Sequence, residues 1–180
     1  MHPTRLFILG ALARRGPMHG HQIRREAQVD RTERWAEVKP GSLYAALKRM
    51  ATEGVIEVVR VEQEGNMPPR TVYAINAEGR AELHALRDEL LSHARLRPDP
   101  VDLALQYVDD LSKEHLVTVI QERHQKLAVQ LSEWERLLVD ATPYLSGLEP
   151  VTYQHTLIRL RAELDWHAQL LEALHESSDQ

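Results

Sequence analysis

The sequence predicts a mainly α-helical fold with one small β-hairpin, arranged as two modules over residues 1–97 and 98–180. Three observations carry this. Apolar residues recur at helical spacing along most of the chain, interrupted by VIEVVRVEQ (55–63) and TVYAI (71–75), which are rich in β-branched residues. The charge is divided: residues 1–97 hold 16 Lys+Arg against 12 Asp+Glu, whereas residues 98–180 hold 6 against 15. The stretch RPDP (97–100) falls at that boundary, and its two prolines make it a natural joint. A basic amino-terminal module beside an acidic one suits the first to a polyanion.

Taken in order, Leu6, Ile8, Leu9 and Leu12 predict a first helix over about 4–14, stopped by Gly16-Pro17. A second helix follows over about 19–29, with Ile23 and Ala27 inward and Arg24 and Arg25 outward. The charged stretch 30–38 reads as a loop or frayed turn. KPGSLYAALKRM (39–50) opens a third helix over about 40–53. Leu43, Ala46, Leu47 and Met50 form its apolar stripe, while Lys39, Ser42, Tyr44, Lys48 and Arg49 share the other side. The two β-branched runs, joined by the turn residues EGNMPPR (64–70), form the hairpin. Asn76 caps the next helix, which tolerates Gly79 in its first turn and runs through Leu83, Leu86, Leu90 and Leu91.

Three helices and a hairpin in this order describe a winged helix-turn-helix, in which the third helix enters the major groove and the hairpin tip touches the neighbouring backbone or minor groove. Lys39, Lys48 and Arg49 on the third helix and Arg70 in the wing are the candidate phosphate contacts. Ser42 and Tyr44, with Gly41 beside them, offer hydroxyls to phosphate or base edges. Glu62 and Glu64 precede the wing tip, leaving Arg60 and Arg70 as the nearby cations, so the wing's contribution to affinity is expected to be modest.

FILGALARRGPMHGHQI, KPGSLYAALKRMATEGVIE and NMPPRTVYAINAEGRAEL resemble PadR-type transcriptional regulators over roughly residues 5–85. The shared motifs are the L-G-x-L…G-x-x-x-G-x-x-I opening, the G-S-L-Y-x-A-L-x-x-M helix, the E-G-x-I strand entry and the P-P-R-x-x-Y wing. The family's pattern has a Tyr where His21 stands here, which bears on the phosphate contact that a Tyr hydroxyl would make. The resemblance implies a dimeric repressor of a palindromic operator, released by a small effector, with a helical carboxy-terminal dimerisation region. A winged-helix module that binds another protein, without operator binding, is the alternative.

The second half supports a helical region independently. Ser112 caps a pattern through Leu116, Val119, Ile120, Leu127, Leu131, Trp134, Leu137 and Leu138 that ends at Pro143. That helix would be roughly 45 Å long, too long for burial within one small domain. Tyr153, Leu157, Leu160, Leu164, His167, Leu171 and Leu174 alternate at 4 and 3, a heptad seam that asks for a partner helix. We therefore expect Leu157, Leu160, Leu164, His167, Leu171 and Leu174 at a homodimer interface, with a bundle formed within one chain as the alternative. His167 there is expected to be neutral and hydrogen-bonded. By the resemblance, aromatic residues near that interface line an effector pocket. Tyr107, Trp134, Tyr153 and Trp166 are the candidates for an aromatic or lipophilic ligand, bound between the modules or at the dimer interface.

Other classes find no support. No cysteine is present, which excludes disulfides and thiol chemistry. No apolar run approaches the roughly 18 residues of a membrane span, and the amino terminus lacks a signal-peptide layout, so a cytoplasmic protein is expected. There is no Gly-rich phosphate loop, HExxH or nucleophile elbow, and the adjacent Asp109-Asp110 carboxylates point apart on a helix. No catalytic residue and no cofactor are expected. His19-x-His21 resembles a chelating pair, but at a helix start the rings splay and no carboxylates accompany them, so no metal is expected either.

Overall fold

The computed structural model describes residues 3–176 except 30, 31, 33–35, 37, 64, 66, 67 and 95. The chain forms two compact units, Met1–Leu96 and Arg97–Gln180.

In the first unit, α1 (Pro3–Arg15) precedes a two-residue strand β1 (Met18–His19) and α2 (Gly20–Val29). A 3-10 turn (Pro40–Ser42) leads into α3 (Leu43–Thr52). The hairpin follows as β2 (Ile56–Glu62) and β3 (Arg70–Ile75), then α4 (Ala77–Ser92). The sheet is antiparallel with order β1-β3-β2, because Met18 pairs with Tyr73 and His19 with Val72. The wing is thus a three-stranded sheet rather than a bare hairpin. Two residues are too few to show a period of 2, which hid β1 within the expected start of α2.

The core is built by Ile8, Leu9 and Leu12 of α1, Ile23 and Ala27 of α2, and Leu43, Ala46, Leu47 and Met50 of α3. Ile56, Tyr73, Ile75, Leu83 and Leu86 close it from the sheet and α4. Apart from Ile56, β2 is exposed along its whole length. Its pairing with β3 slips between Val58 and Arg60, so Val58, Val59 and Val61 all lie at the surface. An irregularity of this kind breaks the alternation expected of a half-buried strand. Arg5 ties three elements together, pairing with Glu82 of α4 and with Glu53 just after α3. Those carboxylates raise the Arg5 pKa above the ordinary guanidinium range, so the cation persists at any working pH.

Asn76 caps α4 as expected: its Oδ1 accepts from the Gly79 N–H at 2.9 Å, and its Nδ2 donates to the Gly54 carbonyl at 2.7 Å. Gly79, however, is required rather than tolerated. A Cβ there would stand 2.0 Å from the Val55 carbonyl oxygen. The expected loop over 30–38 falls largely outside the described residues, as does Trp35, while Thr32 and Val38 are buried.

In the second unit the proline-rich joint is followed by a short helix that the sequence did not announce, α5 (Pro100–Ala104), extended by a 3-10 turn (Leu105–Tyr107). Asp99 caps it by accepting from the Val101 N–H, with Pro100 at the first helical position. Two long helices follow, α6 (Lys113–Ala141) and α7 (Glu149–Glu176). Ser112 caps α6, its hydroxyl accepting from the His115 N–H. The helices run antiparallel: Lys113 reaches the His175 carbonyl, Arg123 reaches His167, and Trp134 meets Tyr153.

This hairpin covers part of the seam within one chain. Leu157 and His167 are 5% and 0% exposed within a single chain, so α6 already supplies the partner helix that the heptad asks for. Leu160, Leu164, Leu171 and Leu174 are half-buried.

Candidate nucleic-acid interface

The third-helix segment presents two faces. Lys39 sits in extended backbone ahead of Pro40, and the fixed φ of proline starts the 3-10 turn that feeds α3. Leu43, Leu47 and Met50 are buried at 0–1% exposure, which fixes the rotation of the helix and turns its other face outward. Tyr44 is 44% exposed, and Lys39, Gly41, Ser42, Lys48 and Arg49 are exposed. The Ser42 hydroxyl donates to the Lys39 carbonyl at 2.8 Å, leaving its lone pairs for a donor. Arg49 lies 4.0 Å from Glu53, a loose exposed pair that leaves its charge available.

A groove of about 540 Å³ runs between α2, α3 and the wing. Tyr44 and Lys48 of α3 line it together with Pro68, Pro69 and Arg70 of the wing and with His19 and His21. The structure thus brings Tyr44, Lys48 and Arg70 onto one concave surface. Lys39, Gly41, Ser42 and Arg49 lie outside it on the exposed face of the same segment.

Two features of the groove escaped the sequence reading. Gly20 lies against the Tyr44 ring, since a Cβ on Gly20 would come within 2.7 Å of Tyr44 Cε1. His19 caps α2 in a reciprocal arrangement: its N–H donates to Gln22 Oε1 at 3.0 Å, and its Nδ1 accepts from the Gln22 N–H at 3.2 Å. The H-x-x-Q spacing is the available signal, as a variant of the Ser/Thr-x-x-Glu/Gln capping box. The rings of His19 and His21 stand 6.2 Å apart, and among the described residues no three potential ligands gather as a metal site.

The second unit does not bring its four aromatic candidates together. Trp134, 7% exposed, meets Tyr153 edge to face with ring centroids 5.9 Å apart. Trp166 lies thirteen residues beyond Tyr153 on α7, about 20 Å along the helix axis, and packs against His167. Tyr107 is 76% exposed. The fully buried His167 is held on both nitrogens. Arg123 Nε–H donates to Nε2 at 2.9 Å, and Nδ1 lies 2.7 Å from the Glu163 carbonyl. A ring that accepts at one nitrogen and donates at the other is neutral. Arg123 in turn reaches Asp99, the cap of α5.

Three stacked helices, an attached wing and an outward polar helix face define a winged-helix fold. The sequence profile of the Transcriptional regulator PadR-like family matches residues 8–85. No curated protein matches the chain in sequence. Solved structures share the fold along nearly the whole length. Bacillus subtilis PadR in complex with operator DNA is 22% identical, with a TM-score of 0.75 over 97% of this chain and 98% of that one. The same protein in complex with p-coumaric acid is 19% identical, with a TM-score of 0.74 over 96% and 99%. The Vibrio cholerae virulence activator AphA is 19% identical, with a TM-score of 0.73 over 97% and 99%. Among the described residues no helix is long and apolar enough to cross a membrane.

Proposed function

We propose that the protein is a sequence-specific, DNA-binding transcriptional regulator of the PadR type, acting in the cytoplasm as a homodimeric repressor of a palindromic operator. The observation that carries this reading is the third-helix segment. Its buried leucines leave Lys39, Ser42, Tyr44, Lys48 and Arg49 exposed together, with Arg70 of the wing across the adjoining groove. Cations there would neutralise phosphates, and the hydroxyls and Arg49 would meet phosphate or base edges. The reading assigns no residue a catalytic role and needs no cofactor.

Dimerisation is supported by how little the second unit buries alone. Among its described residues only Ile120, Trp134, Leu157 and His167 are buried. Val129, Val151, Ile158, Leu103 and Tyr107 remain half or more exposed, an apolar surface that a second copy would cover.

The effector is proposed to be a small planar aromatic compound received at the Trp134–Tyr153 pair, in keeping with the p-coumaric acid held by the Bacillus subtilis structure. Such a ligand lowers DNA affinity only by its differential affinity for the two states of the regulator.

Selection of bound duplexes from a random pool tests the whole reading. An inverted repeat with half-sites about one helical turn apart, roughly 34–36 Å, is expected, with affinity falling steeply as salt is added. A pool with no enriched sequence at any salt would favour the protein-interaction alternative. Quenching of tryptophan emission by phenolic acids, together with release of the selected duplex, tests the effector.

A further inference from the structure

His21 and His19 face the same groove as Tyr44, Lys48 and Arg70, and the two histidines differ in what they can do there. His19 Nδ1 is occupied as the acceptor of the Gln22 N–H, so its ring carries its proton on Nε2 and offers one fixed donor. The His21 side chain, exposed and one residue beyond Gly20, makes no hydrogen bond to any described residue. Both its nitrogens are free to donate once protonated.

The charged and titratable groups lining the groove are His19 and His21 from α2, Tyr44 and Lys48 from α3, and Arg70 and Tyr73 from β3. No carboxylate is among the described residues lining it. The groove therefore collects cations and donors with no competing anion, on the face already assigned to DNA. The ligand chemistry that fits is a phosphodiester.

We propose that this groove seats one backbone phosphate of bound duplex DNA and that His21 joins the contact as an imidazolium, so that DNA binding takes up a proton at each protomer. The inference rests on the DNA-binding reading above. Histidine is the side chain whose charge changes in the physiological range, and a hydrogen bond from a charged donor is stronger than one from a neutral donor by about fivefold to tenfold in affinity. A regulator built this way holds its operator more tightly as pH falls through that range. Lys48 and Arg70 keep a basal, pH-independent attraction.

The test uses the full-length protein and a duplex selected by it from a random pool, titrated at pH 6 and pH 8 at several salt concentrations. The parent is expected to bind about fivefold to tenfold more tightly per contact at pH 6. Its salt slope should also be steeper there by about one unit per protomer. His21→Gln should show the same affinity and salt slope at both pH values, and His21→Arg should lose the pH dependence while keeping the steeper slope. Thermal melts of both variants establish that they fold. A parent whose affinity is equal at the two pH values, or a His21→Gln variant that keeps the parent's pH dependence, overturns the proposal and leaves the DNA reading standing. A pool from which nothing is retained at either pH overturns both.

Discussion

The Tyr44 ring occupies the space that any side chain at position 20 would need: a Cβ on Gly20 would stand 2.7 Å from its Cε1, 2.9 Å from its Cδ1 and 3.3 Å from Leu47 Cδ1. The start of α2 is thereby the seat of the single aromatic ring on α3. Gly20 thus positions Tyr44.

Gly20→Ala should therefore displace the Tyr44 ring and weaken duplex binding. Tyr44→Phe, which keeps the ring and deletes its hydroxyl, should weaken it by about 1 kcal/mol, a hydrogen bond's worth. The alanine variant is expected to lose at least as much, with only a small fall in melting temperature because the ring can swing toward solvent. Equal binding by Gly20→Ala and the parent would show that the ring's position does not matter to DNA.

Much of the first unit was legible because its signals are local and redundant. Leu43, Leu47 and Met50 announce the buried face of α3, and Asn76 and Ser112 announce caps that the structure forms. What stayed hidden depends on contacts between distant segments. Gly20 meets Tyr44, Gly79 meets Val55 and β1 meets β3, and none of these pairings leaves a periodic trace. The heptad on α7 was readable as a seam, but a seam names no partner. Whether α6 of the same chain or a second copy fills it is decided by the turn over 142–148, which folds the helices back on each other.

Two substitutions separate folding from binding in the interface. Leu47→Ala removes a side chain 1% exposed and should destabilise the first unit by about 2–5 kcal/mol. Arg70→Ala, at the start of β3, should leave the melting temperature within about 2–4 °C of the parent and lower duplex affinity, since a change at a half-exposed strand-end residue of this kind is near neutral for stability. Early unfolding of the Arg70 variant would reassign that residue to structure. Lys48→Ala should weaken all duplexes alike and make the salt slope shallower by about one unit.

Gly79→Ala tests the close approach of α4 to the strand entry at Val55. The added Cβ would lie 2.0 Å from the Val55 carbonyl oxygen and 2.9 Å from Ile75 Cγ1. Neither the strand entry nor α4 can yield without breaking the Asn76 cap, which spans Gly54 and Gly79. The expected loss is about 3 kcal/mol or more, at the upper end for single substitutions. A denaturant titration that shows less than 1 kcal/mol would mean that α4 slides freely on the sheet.

In the second unit, His167→Leu should test the buried polar connection between α6 and α7. The leucine fills a similar volume but leaves the Arg123 Nε–H without its acceptor, a loss of about 1–3 kcal/mol. Asp99 retains its pair with Arg123, so α5 should stay ordered. Pairing His167→Leu with Arg123→Leu should recover part of the loss, because replacing both partners removes the unsatisfied donor. A double variant no more stable than the single one would place the energetic role of Arg123 with Asp99 instead.

The dimer surface calls for point substitutions rather than truncation. Cutting after Pro143 would remove α7 and uncover Ile120 and Trp134, so the product should misfold whether or not α7 touches a second copy. Val151 and Ile158 are better probes. They stand seven residues apart on α7, hence on one stripe, and are 59% and 61% exposed while Leu157 on the seam is 5% exposed. Burial of each such side chain in an interface is worth about 1.5–3 kcal/mol, and a lysine in its place must be desolvated or the contact abandoned. Val151→Lys together with Ile158→Lys should therefore leave the α6–α7 hairpin folded by circular dichroism while shifting the protein from dimer to monomer in sedimentation at micromolar concentration. Duplex affinity should fall with it, because one half-site offers only one domain's contacts. A double variant that sediments as the parent dimer would move the interface off this stripe, to the exposed side of α5 at Leu103 and Tyr107.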